Sequence, residues 1–117
     1  VYTAIDPAAP ATTSKRVIDE VIRGFIGFDG ALMSDDLSMG ALSGSLAERA
    51  RASFAAGCDL ALHCNGRMEE MAEVAAHTPL LAGEVARRCA AALGWRPAAP
   101  VAAREESAAF SGMIAAS

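Results

Sequence analysis

Two adjacent aspartates, Asp35 and Asp36, follow Ser34 at the end of the short apolar run Ala31 to Met33. An apolar strand that delivers carboxylates at its C-terminal end places them where parallel α/β folds build their sites, and an ionised carboxylate there can serve as nucleophile or base. Successive residues of a strand point to opposite sides, so the two aspartates are not expected to share one role or chelate one ion together. One should face the pocket while the other serves the backbone, as an Asp does when it caps a helix or accepts N–H bonds. Spacing alone leaves a purely structural role for both as open as a functional one.

The other reactive residue types form weaker patterns. Cys58, Asp59, His63 and Cys64 are metal-ligand types without paired CxxC or HxxxH spacing, and Asp59, His63 and Cys64 cannot all face one side of a strand; small core-facing thiols fit better. His63 reads as a core or rim residue, with lining a pocket as the alternative, and His77, beside Thr78 and Pro79, as part of a solvated loop. No GxSxG elbow surrounds Ser14, Ser34 or Ser38, and Gly27, Gly30, Gly40 and Gly44 form neither GxGxxG nor GxxxxGK[ST], which disfavours acyl transfer and nucleotide binding. Met33, Met39, Met68 and Met71 read as core filling, with Met39 bordering the aspartate loop. Glu69, Glu70, Glu73, Arg87 and Arg88 read as solvated helix faces.

The chain of 117 residues provides one soluble domain at most, or part of one. Ten Lys and Arg against fourteen Asp and Glu give a net charge of −4, leaving no cationic excess to neutralise phosphates or anionic lipid. Nucleic acid and membrane surfaces are therefore disfavoured as partners. Every apolar stretch is cut by a charge or a Gly well before the ~18 residues of a membrane span. Three widely spaced cysteines, an odd number without an evident secretory leader, predict reduced thiols and a cytoplasmic location. Val1 enters an apolar run directly, which suggests the tail of a longer chain.

The elements that must position the aspartates follow from periodicity. Val1 to Ile5, Ala31 to Asp35 and Leu60 to Cys64 have strand character and recur at about thirty-residue spacing, each followed by a helical pattern, the rhythm of βα units and a parallel sheet. The predicted fold class is α/β. A first helix is expected after Ser14 as N-cap, with Val17, Ile18, Val21, Ile22 and Phe25 on one face and Gly27 as its stop. A second opens on a capping box, Ser45 with Glu48, and runs through Leu46, Ala50 and Phe54 to Gly57. After the Asn65-Gly66 turn, Met68 to His77 form a third, and Thr78 with Pro79 starts a last helix running to about Leu93 and ended by Gly94. Residues 1–96 form one unit; in 97–117, Pro97 to Ala103 read as a linker and the remainder as a tail carrying Phe110 and Ile114. Three strands leave two open edges and too little core, which predicts missing neighbours.

The segment FDGALMSDDLSMGAL, preceded by VYTAIDPAAPATTSKRVIDEVIRGFIG and followed by ERARASFAAGCDLALHCN, resembles the C-terminal part of the bacterial β-N-acetylglucosaminidases of glycoside hydrolase family 3, of the single-domain, peptidoglycan-recycling type. The resemblance covers Val1 to Asn65 well, and the helical remainder by general character. It implies the last three βα units of a (β/α)8 barrel, with Tyr2 to Asp6 ending strand six, the SDD segment ending strand seven and Leu60 to Cys64 in strand eight. It implies that Asp35 is the catalytic nucleophile of a retaining hydrolysis, with Asp36 its neighbour rather than the acid. The family's acid/base, an Asp-supported His on a mobile loop, and its Lys-His sugar-binding motif would precede Val1, so neither His63 nor His77 inherits that role. The implied substrate is carbohydrate, namely muropeptides containing N-acetylglucosamine, with no metal or organic cofactor, and the implied partner is the barrel segment N-terminal to this chain. Cytoplasmic location agrees with the resemblance. Two alternatives stand beside this reading: a non-enzymatic α/β module that associates through strand edges and Ala-rich helices, and a family 3 glucosidase of other sugar specificity.

Overall fold

The computed structural model describes residues 2–95 of the chain; the expected linker and tail, with Phe110 and Ile114, lie outside the described residues. Two strands, β1 (Met33–Asp36) and β2 (Leu60–Leu62), pair in parallel through the crossover helix α1 (Leu46–Ala56), giving a βαβ unit within a small α/β fold. Helices α2 (Met68–Ala76) and α3 (Gly83–Gly94) follow. A 3₁₀ turn (Ala11–Thr13) and a first helix (Val17–Phe25) precede β1.

The expected N-terminal strand is not formed over Tyr2 to Ile5. The Tyr2 carbonyl instead accepts the N–H groups of Ile5 at 2.8 Å and Asp6 at 2.9 Å, closing a turn. A segment without a neighbouring strand among the described residues must satisfy its backbone locally. Asp6 then ties this turn to the first helix: its carboxylate accepts the Ser14 hydroxyl at 2.6 Å, while Ser14 Oγ accepts the N–H of Val17 at 3.1 Å, the cap expected of it.

The first helix buries Val17 and Ile18 as expected, but Phe25 is 89% exposed. The cause lies in the winding. From Val17 onward the bonds are of the wider i→i+5 kind, with Ile26 N–H on the Val21 carbonyl at 2.8 Å. More residues per turn rotate position 25 off the face that ordinary α spacing would give it. Gly27, at φ 71°, ends the helix.

Helix α1 forms as its sequence dictates. Glu48 N–H donates to Ser45 Oγ at 3.2 Å and Ser45 N–H donates to Glu48 Oε2 at 2.8 Å, completing the capping box. Gly57, at φ 112°, closes the other end, where a Cβ would stand 3.0 Å from Ile18 Cγ2, so both conformation and space require glycine. Glu73 of α2 accepts Ala47 N–H at 3.0 Å at the opening turn of α1, where the helix dipole favours a carboxylate. The final helix starts four residues later than expected because Thr78 does not cap it. Thr78 Oγ1 donates instead to the Val74 carbonyl at 2.9 Å, closing α2.

Two small apolar clusters hold these elements. Leu37, Leu42, Ala50 and Val74 pack with Leu46, Phe54 and Ala61 between β2, α1 and α2. Ile18, Ala56 and Cys58 pack with Ile22 and Leu32 beneath the first helix. Met33 on β1 and Met68 and Met71 on α2 are exposed, contrary to the core-filling expectation. No helix among the described residues is long and apolar enough to cross a membrane.

Candidate active site

The C-terminal ends of β1 and β2 gather Asp35, Asp36, Ser38, His63 and Cys64. Side-chain alternation divides the two aspartates as strand geometry requires. Met33 and Asp35 are exposed, Ser34 is buried and Asp36 is half-buried. Asp35 Oδ1 accepts the N–H of Asp36 at 2.8 Å, and its side chain forms no ion pair among the described residues. A carboxylate anchored through one oxygen presents the other outward. That arrangement suits attack on an electrophilic carbon.

Asp36 has a different occupation. Its Oδ1 accepts Ser38 N–H at 3.0 Å and Cys64 N–H at 3.2 Å, and its Oδ2 accepts the Ser38 hydroxyl. The carboxylate thus closes the turn after β1 and clamps the end of β2. Chiefly the Ser38 hydroxyl, then the Ser38 and Cys64 backbone donors, hold Asp36 below the usual carboxylate range against a smaller opposing effect of desolvation; Asp6 is lowered in the same way, first by Ser14. A carboxyl with a depressed folded pKa binds its proton more weakly folded than unfolded, so its contribution to stability is present above the unfolded value near 3.8 and lost as pH falls through the folded one. The thermal midpoint is therefore expected to hold level from neutral pH to about 5 and to fall below about 3.8, with a shallower acid limb in Asp36→Asn. Melting curves across that range check both, and an unchanged acid limb in the variant contradicts the assignment.

The loop after Asp36 is fixed from α1. Arg49 donates through Nε to the Gly44 carbonyl at 3.0 Å and through Nη1 to the carbonyls of Leu37 at 2.9 Å and Met39 at 3.3 Å. Leu37 and Leu42 of that loop are buried. Sequence reasoning missed Arg49; its place in the first turn of a helix opened by a capping box, within reach of the preceding loop, was the available signal.

His63 follows β2 with its side chain 5% exposed. Its Nε2 lies 3.1 Å from Glu70 Oε2, but neither atom is aligned for a hydrogen bond, so the contact is one of proximity rather than a made bond. Arg67 Nη1 stands 3.3 Å from Glu70 Oε1. His63 also lines a groove of about 500 Å³ with Ala61, Met71, Val74 and Leu81, the pocket-lining alternative of its sequence reading. His77 is half-buried rather than free in a loop: it caps α2, with Nδ1 2.9 Å from the Glu73 carbonyl.

The opposite, N-terminal end of the strands is an ion-pair knot. Asp59, buried at the start of β2, accepts Arg23 Nη2 at 2.7 Å and Leu32 N–H at 2.9 Å on Oδ2, and Arg88 Nη1 at 3.1 Å on Oδ1. Arg88 is thereby drawn off the solvated face expected for it. Cys58 packs inward, its thiol directed at the Thr12 carbonyl at 3.6 Å, and burial pushes that thiol above its usual range. The four metal-ligand types of 58–64 are therefore dispersed: Asp59 and Cys58 at one end of β2, and His63 and Cys64 at the other.

The family described as "Glycosyl hydrolase family 3 N terminal domain" matches residues 1–89. A protein named Beta-hexosaminidase from Alkalilimnicola ehrlichii is 49% identical over 81 residues, which cover 68% of this chain and 23% of that protein. A Beta-hexosaminidase from Pseudomonas aeruginosa is 46% identical over 69 residues, 57% of this chain and 20% of its own length. One from Chromobacterium violaceum is 42% identical over 90 residues, 75% and 25% respectively. The chain spans a quarter or less of the length of these relatives. The family match takes in the first helix, both strands, α1, α2 and the Ser34-Asp35-Asp36 segment, and on it this chain belongs to glycosyl hydrolase family 3.

Proposed function

We propose that this chain is the C-terminal portion of a (β/α)8 barrel, with β1 and β2 as its seventh and eighth strands. The whole protein then acts as a retaining exo-β-N-acetylglucosaminidase on peptidoglycan fragments in the cytoplasm. The single observation that carries the reading is the division of labour at the end of β1: Asp35 exposed and free of ion pairs among the described residues, Asp36 consumed by the turn. The names of the relatives and the family match support the same chemistry.

In this reading Asp35 attacks the anomeric carbon, the glycosidic bond breaks, and a glycosyl ester forms on the carboxylate. A proton donor in the N-terminal part of the barrel protonates the leaving oxygen. Water, deprotonated by the same group, then cleaves the ester and regenerates Asp35. Asp36 and Arg49 act on the protein side, holding the loop that borders the sugar. No metal or organic cofactor enters this scheme.

The full-length protein carrying this chain is expected to hydrolyse an aryl β-N-acetylglucosaminide in preference to the corresponding β-glucoside, and the isolated 117 residues to hydrolyse neither. Preference for the glucoside overturns the sugar assignment. Turnover by the isolated chain well above background overturns the view that the acid/base and sugar-binding groups lie elsewhere in the barrel.

A further inference from the structure

The strand that ends in Asp35 is irregular. Met33 pairs with Leu60 and Asp36 with Leu62, so β1 advances three residues while β2 advances two. Ser34 and Asp35 together oppose Ala61, which is a β-bulge. An extra residue disconnects ladder partners on both strands, and unpaired backbone groups at a buried position are costly. Here one side chain serves both strands. The Ser34 hydroxyl, in a residue only 5% exposed, accepts Leu62 N–H at 2.9 Å and donates to the Asp35 carbonyl at 2.7 Å.

The bulge also determines where the aspartates stand. Continued without it from the Met33–Leu60 pair, the register would set Asp35 opposite Leu62 and Asp36 opposite His63. With it, Asp36 pairs with Leu62 and reaches Cys64 N–H, while Asp35 sits at the extra position on the exposed side of the strand. Bulges are used in this way beside active sites, to re-aim a side chain.

We propose that Ser34 is a positioning residue, whose hydroxyl locks this bulge and so sets the direction of the Asp35 carboxylate; the inference rests on the reading of Asp35 as nucleophile. The isosteric pair Ser34→Thr and Ser34→Val, made in the full-length protein, differs only in the hydroxyl. Measured per folded molecule on the aryl N-acetylglucosaminide, Ser34→Thr is expected to retain kcat within about tenfold of the parent. Ser34→Val is expected to lose about 10²-fold, the scale of a 1 Å misplacement of a reacting group, with KM changed by less than about threefold. Ser34→Ala repeats the hydroxyl deletion without branching, in case Val does not fold. A purely structural serine would lower the folded fraction and leave kcat per folded molecule alone, so equal kcat in the Thr and Val proteins, or a parent-like kcat in Ser34→Ala, overturns the proposal. Asp35→Asn, assayed in parallel, separates the two claims: full turnover there defeats the nucleophile reading, whatever Ser34 does.

Discussion

Asp35→Asn in the full-length protein is expected to lower aryl N-acetylglucosaminide turnover by about 10³-fold or more, because an amide cannot form the glycosyl ester on which the second step depends. The change is otherwise slight. Asn keeps an oxygen able to accept the N–H of Asp36, the only hydrogen bond the Asp35 side chain makes among the described residues, and the position is exposed. Stability should therefore stay within about 0.5 kcal/mol of the parent. In Asp35→Gly, added azide should restore aglycone release by attacking the anomeric carbon from the vacated side. Loss of turnover accompanied by a collapse in melting temperature would contradict the division drawn between Asp35 and its neighbours.

The second large effect lies at the other end of the strands and concerns stability. Asp59→Ala is expected to cost about 3–5 kcal/mol, the range for removing one member of a buried ionic group. Its carboxylate is 3% exposed and holds Arg23, Arg88 and the Leu32 N–H together, joining the first helix, α3 and the approach to β1. Substitution leaves two guanidinium groups, 17% and 20% exposed, without that anion. Both retain other partners: Arg23 donates to the carbonyls of Phe28 at 2.7 Å and Gly30 at 2.9 Å, and Arg88 to Asp29 at 3.2 Å. The loss should therefore fall toward the lower end of the range. Urea unfolding of parent and variant measures it, and a difference below about 1 kcal/mol would show that the knot is dispensable.

What the sequence revealed and what it concealed divide by the range of the interactions. The Ser45–Glu48 capping box, the Gly57 and Gly27 stops and the Asn65-Gly66 turn depend on neighbours within a few positions, and each stands where local chemistry put it. The parallel pairing of β1 and β2 followed from their apolar character and the helix between them. Other features depend on partners that no local pattern names. Thr78 followed by Pro79 has the form of a helix start, yet Thr78 is spent on the Val74 carbonyl. The i→i+5 winding that turns Phe25 outward leaves the apolar spacing unchanged. Asp59 was legible as a carboxylate on a strand, but Arg23 and Arg88 lie 36 and 29 positions away. At the candidate site, alternation along the strand was enough to expect different duties for Asp35 and Asp36; the bulge that seats them was not legible, since nothing in the SDD triplet counts residues on the partner strand.

An Asp35 nucleophile bonds covalently to the sugar, and that bond can be trapped. Incubation of the full-length protein with a slow-turnover fluorinated N-acetylglucosaminyl donor, followed by proteolysis and mass spectrometry, should find one sugar esterified to the peptide containing Asp35, and none in Asp35→Asn. A sugar carried by Asp36 or by any other residue, or turnover of the donor with inversion and no covalent adduct, would exclude Asp35 as the nucleophile.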